Sequence, residues 1–220
     1  SRYVLANYPG HEQRIWADRD LILCDVVQRN LDTAQTGLRK LVEDHADHGD
    51  LPFVLGEIAG EYRQGRMYKE AKSVWQYILD NYPGRDECLW AQRDIVLSDM
   101  ALKDMNAASA GTQTLLTKYA WQSGVCWAVQ DVADGYSKLG QHERARDLYQ
   151  SNLANHPKID DTIWSLRGAI NEYIALKDED AINTSIKKLL NDYADNRGLP
   201  MAAVHVGTRL CEAGDSRALQ

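Results

Sequence analysis

The sequence lacks most of the signals that would assign it to a catalytic, membrane-spanning or nucleic-acid-binding class. It contains no G-x-S-x-G, H-E-x-x-H or Walker-type phosphate loop, and its carboxylates have the spacing of a helical surface. No apolar run approaches the roughly 18 residues that a membrane helix needs. The net charge is −7 and basic residues are adjacent only in the two isolated pairs Arg39–Lys40 and Lys187–Lys188, so a phosphate-binding surface is not expected. We therefore predict a protein that is not an enzyme, needs no cofactor and does not bind nucleic acid.

A convincing period-two strand pattern is also missing, and a long repeat is present in its place. Two mostly aromatic series advance by 37 residues: Tyr8, His45, Tyr82, Tyr119, His156 and Tyr193, and Trp16, Phe53, Trp90, Trp127, Trp164 and Met201. A period of about 20 to 50 residues is typical of stacked-repeat proteins. Six repeats, with boundaries near 9, 46, 83, 120, 157 and 194, fill the chain, which predicts a single repeat domain over residues 1–220.

Each repeat is predicted to contain two helices, and residues 120–157 show this best. The first helix has one apolar face, made of Val125, Val129, Val132, Ala133 and Tyr136. Gly140 ends that helix, because glycine is the usual residue just beyond a helix C-terminus. The second helix carries Ala145, Leu148, Tyr149 and Leu153 and stops at Pro157, since proline cannot continue the hydrogen-bond ladder. Glycines Gly49, Gly65, Gly84, Gly124, Gly140, Gly198 and Gly214 fall between helices.

These positions resemble the tetratricopeptide repeat (TPR). In residues 136–157 the signature residues are Tyr136, Gly140, Ala145, Tyr149 and Pro157, and in residues 62–83 they are Tyr62, Gly65, Ala71, Trp75, Ile78 and Pro83. The second segment has one additional residue between its glycine and its alanine. The resemblance implies an all-α fold, a right-handed α-α superhelix (TPR-like solenoid) of about six 37-residue helix-turn-helix repeats. Segments 78–84 and 153–157 are similar to repeats common in bacterial cell-envelope proteins of this family, and this resemblance favours a periplasmic or envelope location. The lack of a disulfide framework favours a reducing compartment instead, so the cytoplasm stays open as the alternative.

The repeat phase also predicts that the chain is a segment of a longer protein. Residues 1–8 have the phase of the end of a second helix, and residues 218–220 have the phase of the start of another.

The tryptophan series allows two interpretations. Trp127 lies about half a turn from the apolar face of its helix, on the same strip as Asp131 and Asp134. In TPR folds that strip of the first helix lines the concave groove, so these residues are candidates for contacts with an extended peptide or a helix. Alternatively, the rings pack under the end of the preceding second helix. Trp90 lies beside Leu89 and other apolar residues, which favours packing.

An arginine series allows two interpretations as well. Arg19, Arg93 and Arg167 lie 74 residues apart, each three residues after a tryptophan, Trp16, Trp90 or Trp164. Arg93 is predicted to project between Leu89 and Val96 into an otherwise apolar face, where a guanidinium needs a partner. Acidic residues recur at the next phase, in Asp20, Glu57, Asp94 and Asp131. The favoured interpretation is a structural register of ion pairs and stacking between repeats. The alternative is that the arginines bind a carboxylate of a peptide.

Two further residue types are expected to be structural. Cys88 shares its phase with Leu51 and Val125, and Cys126 shares its phase with Ile15, so both thiols are predicted to be small buried hydrophobes. The four cysteines form no C-x-x-C pair. His45, Asp47 and His48 superficially suggest a metal site, but His45 occupies the tyrosine phase, and no metal is predicted.

The leading functional hypothesis is a protein-interaction module whose concave groove holds a peptide or a partner helix. Its candidate groove residues are Arg19, Trp90, Arg93, Trp127, Asp131, Asp134, Trp164 and Arg167. One alternative is a structural spacer or assembly element of a larger envelope protein. Another is the regulatory repeat domain of an enzyme whose catalytic domain lies elsewhere.

Overall fold

A computed structural model describes residue 11, residues 13–156 and residues 161–215. The sequence predictions on Tyr8 and Pro157 and on the first and last residues of the chain fall outside this part. The described residues contain no β-strand, and their α-helices are α1 (Arg14–Val27), α2 (Leu31–Asp44), α3 (Leu51–Gln64), α4 (Tyr68–Asn81), α5 (Glu87–Ala101), α6 (Met105–Lys118), α7 (Val125–Lys138), α8 (His142–Asn155), α9 (Thr162–Leu176), α10 (Glu179–Asp192) and α11 (Leu199–Glu212). The predicted all-α, helix-turn-helix fold class is confirmed. None of these helices is both long and apolar enough to cross a membrane.

The helices divide into first and second helices of each repeat, and the chain forms two compact units, Ser1–Thr117 and Lys118–Gln220. In unit 1 the first helices α1, α3 and α5 contact one another in order, and α4 packs against both α3 and α5. In unit 2 the first helices α7, α9 and α11 do the same, and α8 packs against both α7 and α9. Each unit therefore has a layer of first helices backed by second helices.

The 37-residue period fixes where the second helices begin and end. They start at residues 31, 68, 105, 142 and 179 and end at 44, 81, 118, 155 and 192. Four alanines at one phase of these helices, Ala34, Ala71, Ala108 and Ala145, are fully buried. A side chain this small lets the two helices of a repeat approach closely, as the TPR resemblance implies.

The backbone conformation of the turn between the two helices is also periodic, although the residue type at the turn changes from repeat to repeat. A residue with positive φ recurs every 37 residues, as Arg29, Arg66, Lys103, Gly140, Lys177 and Gly214. In each turn the amide of the following residue donates to a carbonyl five residues back, for example Met67 N–H to Tyr62 O at 2.8 Å. This is the hydrogen bond of the Schellman motif. The role expected for Gly140 is confirmed, but Gly65 has a φ of −71° and the left-handed residue of its turn is Arg66.

Replacing a basic residue at this turn position by glycine should stabilise the protein, because the basic residues have positive φ. A side chain at positive φ places Cβ too close to the backbone, at a cost of about 1 kcal/mol that glycine avoids. We expect Lys103→Gly to raise the free energy of unfolding by about 0.5 to 1 kcal/mol in urea denaturation. Gly140→Lys is the reverse exchange at the same turn position and should lower it by about 1 kcal/mol. A loss of stability in Lys103→Gly would show that the lysine side chain contributes more than its backbone strain.

The buried cysteines fit the packing predicted for them. Cys88 and Cys126 lie in the cores of units 1 and 2, and the Cys88 thiol donates to the carbonyl of Tyr82 at 3.1 Å. Burial, with a smaller contribution from the Asp161 carboxylate, raises the pKa of the Cys126 thiol. Both cysteines therefore act as small apolar core residues, as the sequence predicted.

Candidate functional site

The second aromatic series lies on the exposed strips of the first helices. We call the strip carrying Trp16, Phe53 and Trp90 the first-helix face of unit 1, and the strip carrying Trp127, Trp164 and Met201 the first-helix face of unit 2. The side chains of Phe53, Trp90 and Trp127 are 51%, 36% and 39% exposed, and Trp16 and Trp164 are partly buried. Each ring therefore packs on its helix over part of its surface and offers the rest to solvent.

A cleft opens on the first-helix face of unit 1. It has a volume of about 230 Å³ and lies between α3 and α5, with Phe53 and Trp90 in its lining. Trp75 and Ile78 of α4 supply further apolar surface, and Glu57, Glu87 and Asp94 supply carboxylates. On the other side of Phe53, its ring meets Trp16 edge to face, with centroids 6.1 Å apart. The aromatic surface thus continues from α1 across α3 to the cleft.

All three arginines of the 74-residue series lie over the tryptophan three residues earlier. The guanidinium carbon is 4.9 Å from the ring centroid for Arg19 on Trp16, 4.9 Å for Arg93 on Trp90, and 5.3 Å for Arg167 on Trp164. These distances are within the range of a cation–π contact. The stacking that the spacing allowed is therefore present in both units.

The two arginines of unit 1 also have carboxylate partners. Arg19 pairs with Asp20 at 2.6 Å and, across the α1–α3 contact, with Glu57 at 2.7 Å. Arg93 pairs with Asp94 at 2.9 Å. The guanidinium of Arg93, predicted to lie between Leu89 and Val96, is over Trp90 and reaches the carboxylate of Asp94. An ion pair between repeats, predicted from the acidic phase, is confirmed for Arg19.

In unit 2 the two candidate acids of α7, Asp131 and Asp134, lie on one strip of the helix. Asp134 accepts a hydrogen bond from the hydroxyl of Tyr149, which comes from α8. Asp131 is partly buried on the same strip. Burial first, and then the charge of Asp134, raise the pKa of the Tyr149 hydroxyl well above its ordinary value. The Asp134 carboxylate is thus committed to a buried contact between α7 and α8.

The raised pKa of Tyr149 predicts a loss of stability in alkali. The unfolded tyrosine releases its proton near pH 10 and the folded one keeps it, so the contribution is complete below about pH 10 and is lost as the pH rises further. One such group lowers the free energy of unfolding by up to about 1.4 kcal/mol per pH unit. We expect the native protein to lose up to that much more stability than Tyr149→Phe between about pH 10 and about pH 11 in urea denaturation. Equal losses in the two proteins would contradict this account.

The third arginine, Arg167, has different neighbours. Its Trp164 ring lies against the start of α11, where a Cβ on Gly198 would be 3.1 Å from the ring. The Nη1 atom of Arg167 lies 3.2 Å from Nδ1 of His205 on α11, and its Nε is buried with no hydrogen-bond acceptor. Arg167 thus shares the tryptophan stacking of Arg19 and Arg93 but not their carboxylate contacts.

Two buried carboxylates were not identified from the sequence. In unit 1, Asp99 of α5 is bound by the ammonium of Lys72 from α4 at 2.5 Å. In unit 2, Glu172 of α9 accepts from Ser137 and pairs with His142, both at 2.6 Å. The sequence signal for Asp99 is that an acid stands at the repeat phase of the buried Tyr62 and Tyr136, whereas the phase of Glu172 also holds Glu61 and gives no such signal. These contacts tie adjacent helices together.

The suggestion of a metal site near His45 has a structural explanation. Nε2 of His45 is 2.9 Å from the Asp18 carboxylate, and the His48 ring contacts the His45 ring edge to face. Across residues 13–156 and 161–215, no three histidine, cysteine, aspartate or glutamate side chains are grouped so as to hold a metal ion. The described residues therefore offer no metal-binding cluster.

Comparisons with solved structures bear on the fold. The chain is similar to the crystal structure of MamA protein, with 13% identity and a TM-score of 0.53 over 84% of this chain and 94% of that one. It is also similar to the TPR-like repeats of a putative kinesin light chain of Podosopora anserina, with 14% identity and a TM-score of 0.55 over 86% and 99% of the two chains. A single-residue variant of the latter protein gives 15% identity and a TM-score of 0.55, over 84% of this chain and 97% of that one. No family model matches the sequence, and no curated protein matches it. The likeness establishes a TPR-like fold.

Proposed function

We propose that this protein is a non-enzymatic interaction module that binds an extended peptide or a partner helix on its first-helix faces. The TPR-like fold supports this proposal, because stacked helix pairs present long surfaces to partners. Aromatic side chains on these faces make a protein the expected partner, and the acidic side chains disfavour nucleic acid.

The observation that carries the proposal is the cleft between α3 and α5. Its lining includes Phe53 and Trp90, which are 51% and 36% exposed, beside the carboxylates of Glu57 and Glu87. Large rings that are partly fixed by packing and partly exposed are frequent anchors of protein interfaces, because they bury much area and lose little rotamer freedom. The cleft can accept one apolar side chain of a peptide.

A structural role in a larger assembly, as in an envelope protein, is the second candidate. It is favoured by the ion pairs of Arg19 with Asp20 and Glu57, which use this arginine inside the protein. If the residues of the first-helix faces made only contacts within the protein, as Arg19 does, the protein would act as a spacer between other domains. The two candidates differ in whether the exposed part of the rings binds a ligand.

Affinity capture distinguishes these candidates. The native protein, a Phe53→Ala/Trp90→Ala form and a Leu190→Ala form are immobilised and incubated with lysate of the source cells, and bound proteins are identified by mass spectrometry. Leu190 lies on the second helix α10 and has the same 51% exposure as Phe53, so it is a matched control. Circular dichroism first establishes that the three proteins have equal helix content.

We expect a partner that the native protein and Leu190→Ala retain and the cleft variant loses. Loss of two central aromatic anchors should weaken binding by about 100-fold or more. If all three columns hold the same background, the interaction module is refuted and the structural role gains.

A further inference from the structure

Three arginines have the same place in the repeat, and two of them are neutralised within the chain. Arg19 has Asp20 next to it and Glu57 at 38 residues further on, both within ion-pair distance. Arg93 has Asp94 next to it. A guanidinium stacked on tryptophan and paired with carboxylates is therefore the standard arrangement of this face, and its charge is used internally.

Arg167 stacks on a tryptophan as Arg19 does, but neither of the two positions that hold Asp20 and Glu57 near Arg19 is acidic near Arg167. The residue next to it is Gly168, and the residue 38 further on is His205, which is an exposed side chain of α11. The Arg167 side chain contacts the Trp164 ring and Nδ1 of His205. Its Nε is buried and has no acceptor. Among the described residues, Arg167 makes no ion pair with a carboxylate.

The packing of unit 2 explains why Arg167 has no acid beside it. A Cβ at residue 168 would lie 2.5 Å from two atoms of the Tyr149 ring, so an aspartate does not fit there. The hydroxyl of Tyr149 in turn binds Asp134, a candidate acid on α7. The Tyr149 ring thus leaves no room for an aspartate at position 168, and its hydroxyl binds the carboxylate of Asp134.

We propose that Arg167, stacked on Trp164, binds the carboxylate of an aspartate or glutamate side chain in a peptide that lies along the first-helix face of unit 2. The inference rests on the proposed function and names the chemistry that one of its two faces recognises. The planar guanidinium has free Nη hydrogens, and its stacking fixes the plane in which a carboxylate accepts two hydrogen bonds. The Nε atom is buried and has no acceptor, so the Nη groups are the part of the guanidinium that a carboxylate can reach.

The side chains around Arg167 favour a peptide in which the acidic residue is not at the terminus and is followed or preceded by an apolar residue. Helices α7 and α11 lie on either side of α9, so the strip continues past Arg167 in both directions and does not close around a chain terminus. Toward α11 the exposed side chains include the apolar Met201 and Val204 next to His205, and the two apolar ones favour an apolar residue in the peptide. Toward α7 the carboxylate of Asp134, which accepts from Tyr149, disfavours a second acid. A single acidic residue, not an acidic run, fits this charge pattern.

A nuclear magnetic resonance titration tests the site directly. The probe is N-acetylglutamate N-methylamide at millimolar concentration, and the uncharged control is its glutamine analogue. The readout is the side-chain Nε–H signal of each arginine, assigned by Arg→Lys substitution, so that Arg19 and Arg93 serve as controls in the same spectrum. The decisive variant is His205→Glu, which places an acid where Glu57 stands relative to Arg19 and changes only an exposed position.

We expect the Arg167 signal to shift with the glutamate probe and the Kd to be about tenfold lower than with the glutamine analogue. The signals of Arg19 and Arg93 should stay in place, and His205→Glu should abolish the response of Arg167 while its fold is kept. Equal responses to both probes, equal shifts of all three arginines, or an unchanged response in His205→Glu would each overturn the proposal. A failed capture experiment with a positive titration would refute the interaction module alone, and the opposite pair of results would refute the Arg167 site alone.

Discussion

Gly168→Ala should lower the free energy of unfolding by about 3 kcal/mol, the largest effect that we expect from adding one methyl group to this protein. The new Cβ would lie 2.5 Å from Cε1 and Cζ of Tyr149 and 2.9 Å from Cδ1. The ring is only 2% exposed and its hydroxyl is held by Asp134, so it cannot turn away without losing a buried hydrogen bond. Either α8 and α9 separate or the Tyr149–Asp134 contact breaks.

The control for this prediction is a glycine of the same unit with open space around it. A Cβ at Gly207, inside α11, would meet no atom within 4 Å. Gly207→Ala should therefore stabilise the protein by about 0.5 to 1 kcal/mol, because alanine is the better helix former. Urea denaturation followed by circular dichroism measures both variants. A loss below about 1 kcal/mol for Gly168→Ala would show that the α8–α9 contact is looser than the structure has it.

Lys72→Met should destabilise unit 1 by about 3 kcal/mol. Its ammonium is bound to the Asp99 carboxylate at 2.5 Å, and Asp99 is only 2% exposed. Methionine keeps the length of the side chain and removes the charge, so the aspartate remains buried without its cation. The expected loss lies at the lower end of the range for broken buried pairs, because the Lys72 side chain is partly exposed and water can reach it.

Two further variants separate the lost ion pair from other effects of the substitution. Lys69→Met changes an exposed lysine of the same helix and should alter the free energy of unfolding by less than about 0.5 kcal/mol. Lys72→Met/Asp99→Asn removes the stranded charge and should recover at least about 1 kcal/mol of the loss. If the double variant is no more stable than Lys72→Met, the lysine contributes through its packing and not through its charge.

The sequence was sufficient for the architecture because the repeat imposes one local solution six times. The apolar face of α7 and the buried alanines of the second helices follow from side-chain size and helical periodicity. The left-handed turn residue could not be recognised in the same way. It is glycine at 140 and 214 but basic at Arg66 and Lys103, so only the repeat phase, and not the residue type, marks it.

The candidate site was only partly predictable, because its charges depend on contacts between helices. The stacking of Arg19 on Trp16 follows from their spacing in one helix. The absence of an acid beside Arg167 is visible as Gly168, but its reason is the Tyr149 ring, which arrives from the next helix. Similarly, Asp134 has the phase of a groove residue, and only the structure shows that a tyrosine hydroxyl binds it.

The contacts of the three arginines separate them into two groups. Arg19 and Arg93 have the internal partners of a structural register, which agrees with the interpretation favoured from the sequence. Arg167 has the same stacking with no such partner among the described residues, and therefore carries the ligand-binding alternative. The two interpretations of the arginine series thus apply to different members of it.

We expect the first-helix faces, and not the second helices, to contact a partner. Site-specific photo-cross-linking tests this most directly, with benzoylphenylalanine placed at Phe53 in one protein and at Leu190 in another. The two positions have the same exposure of 51% and lie on a first and a second helix, respectively. The account predicts discrete cross-linked products from position 53 in source cells and none from position 190. Products from position 190 alone, or from neither position, would contradict it.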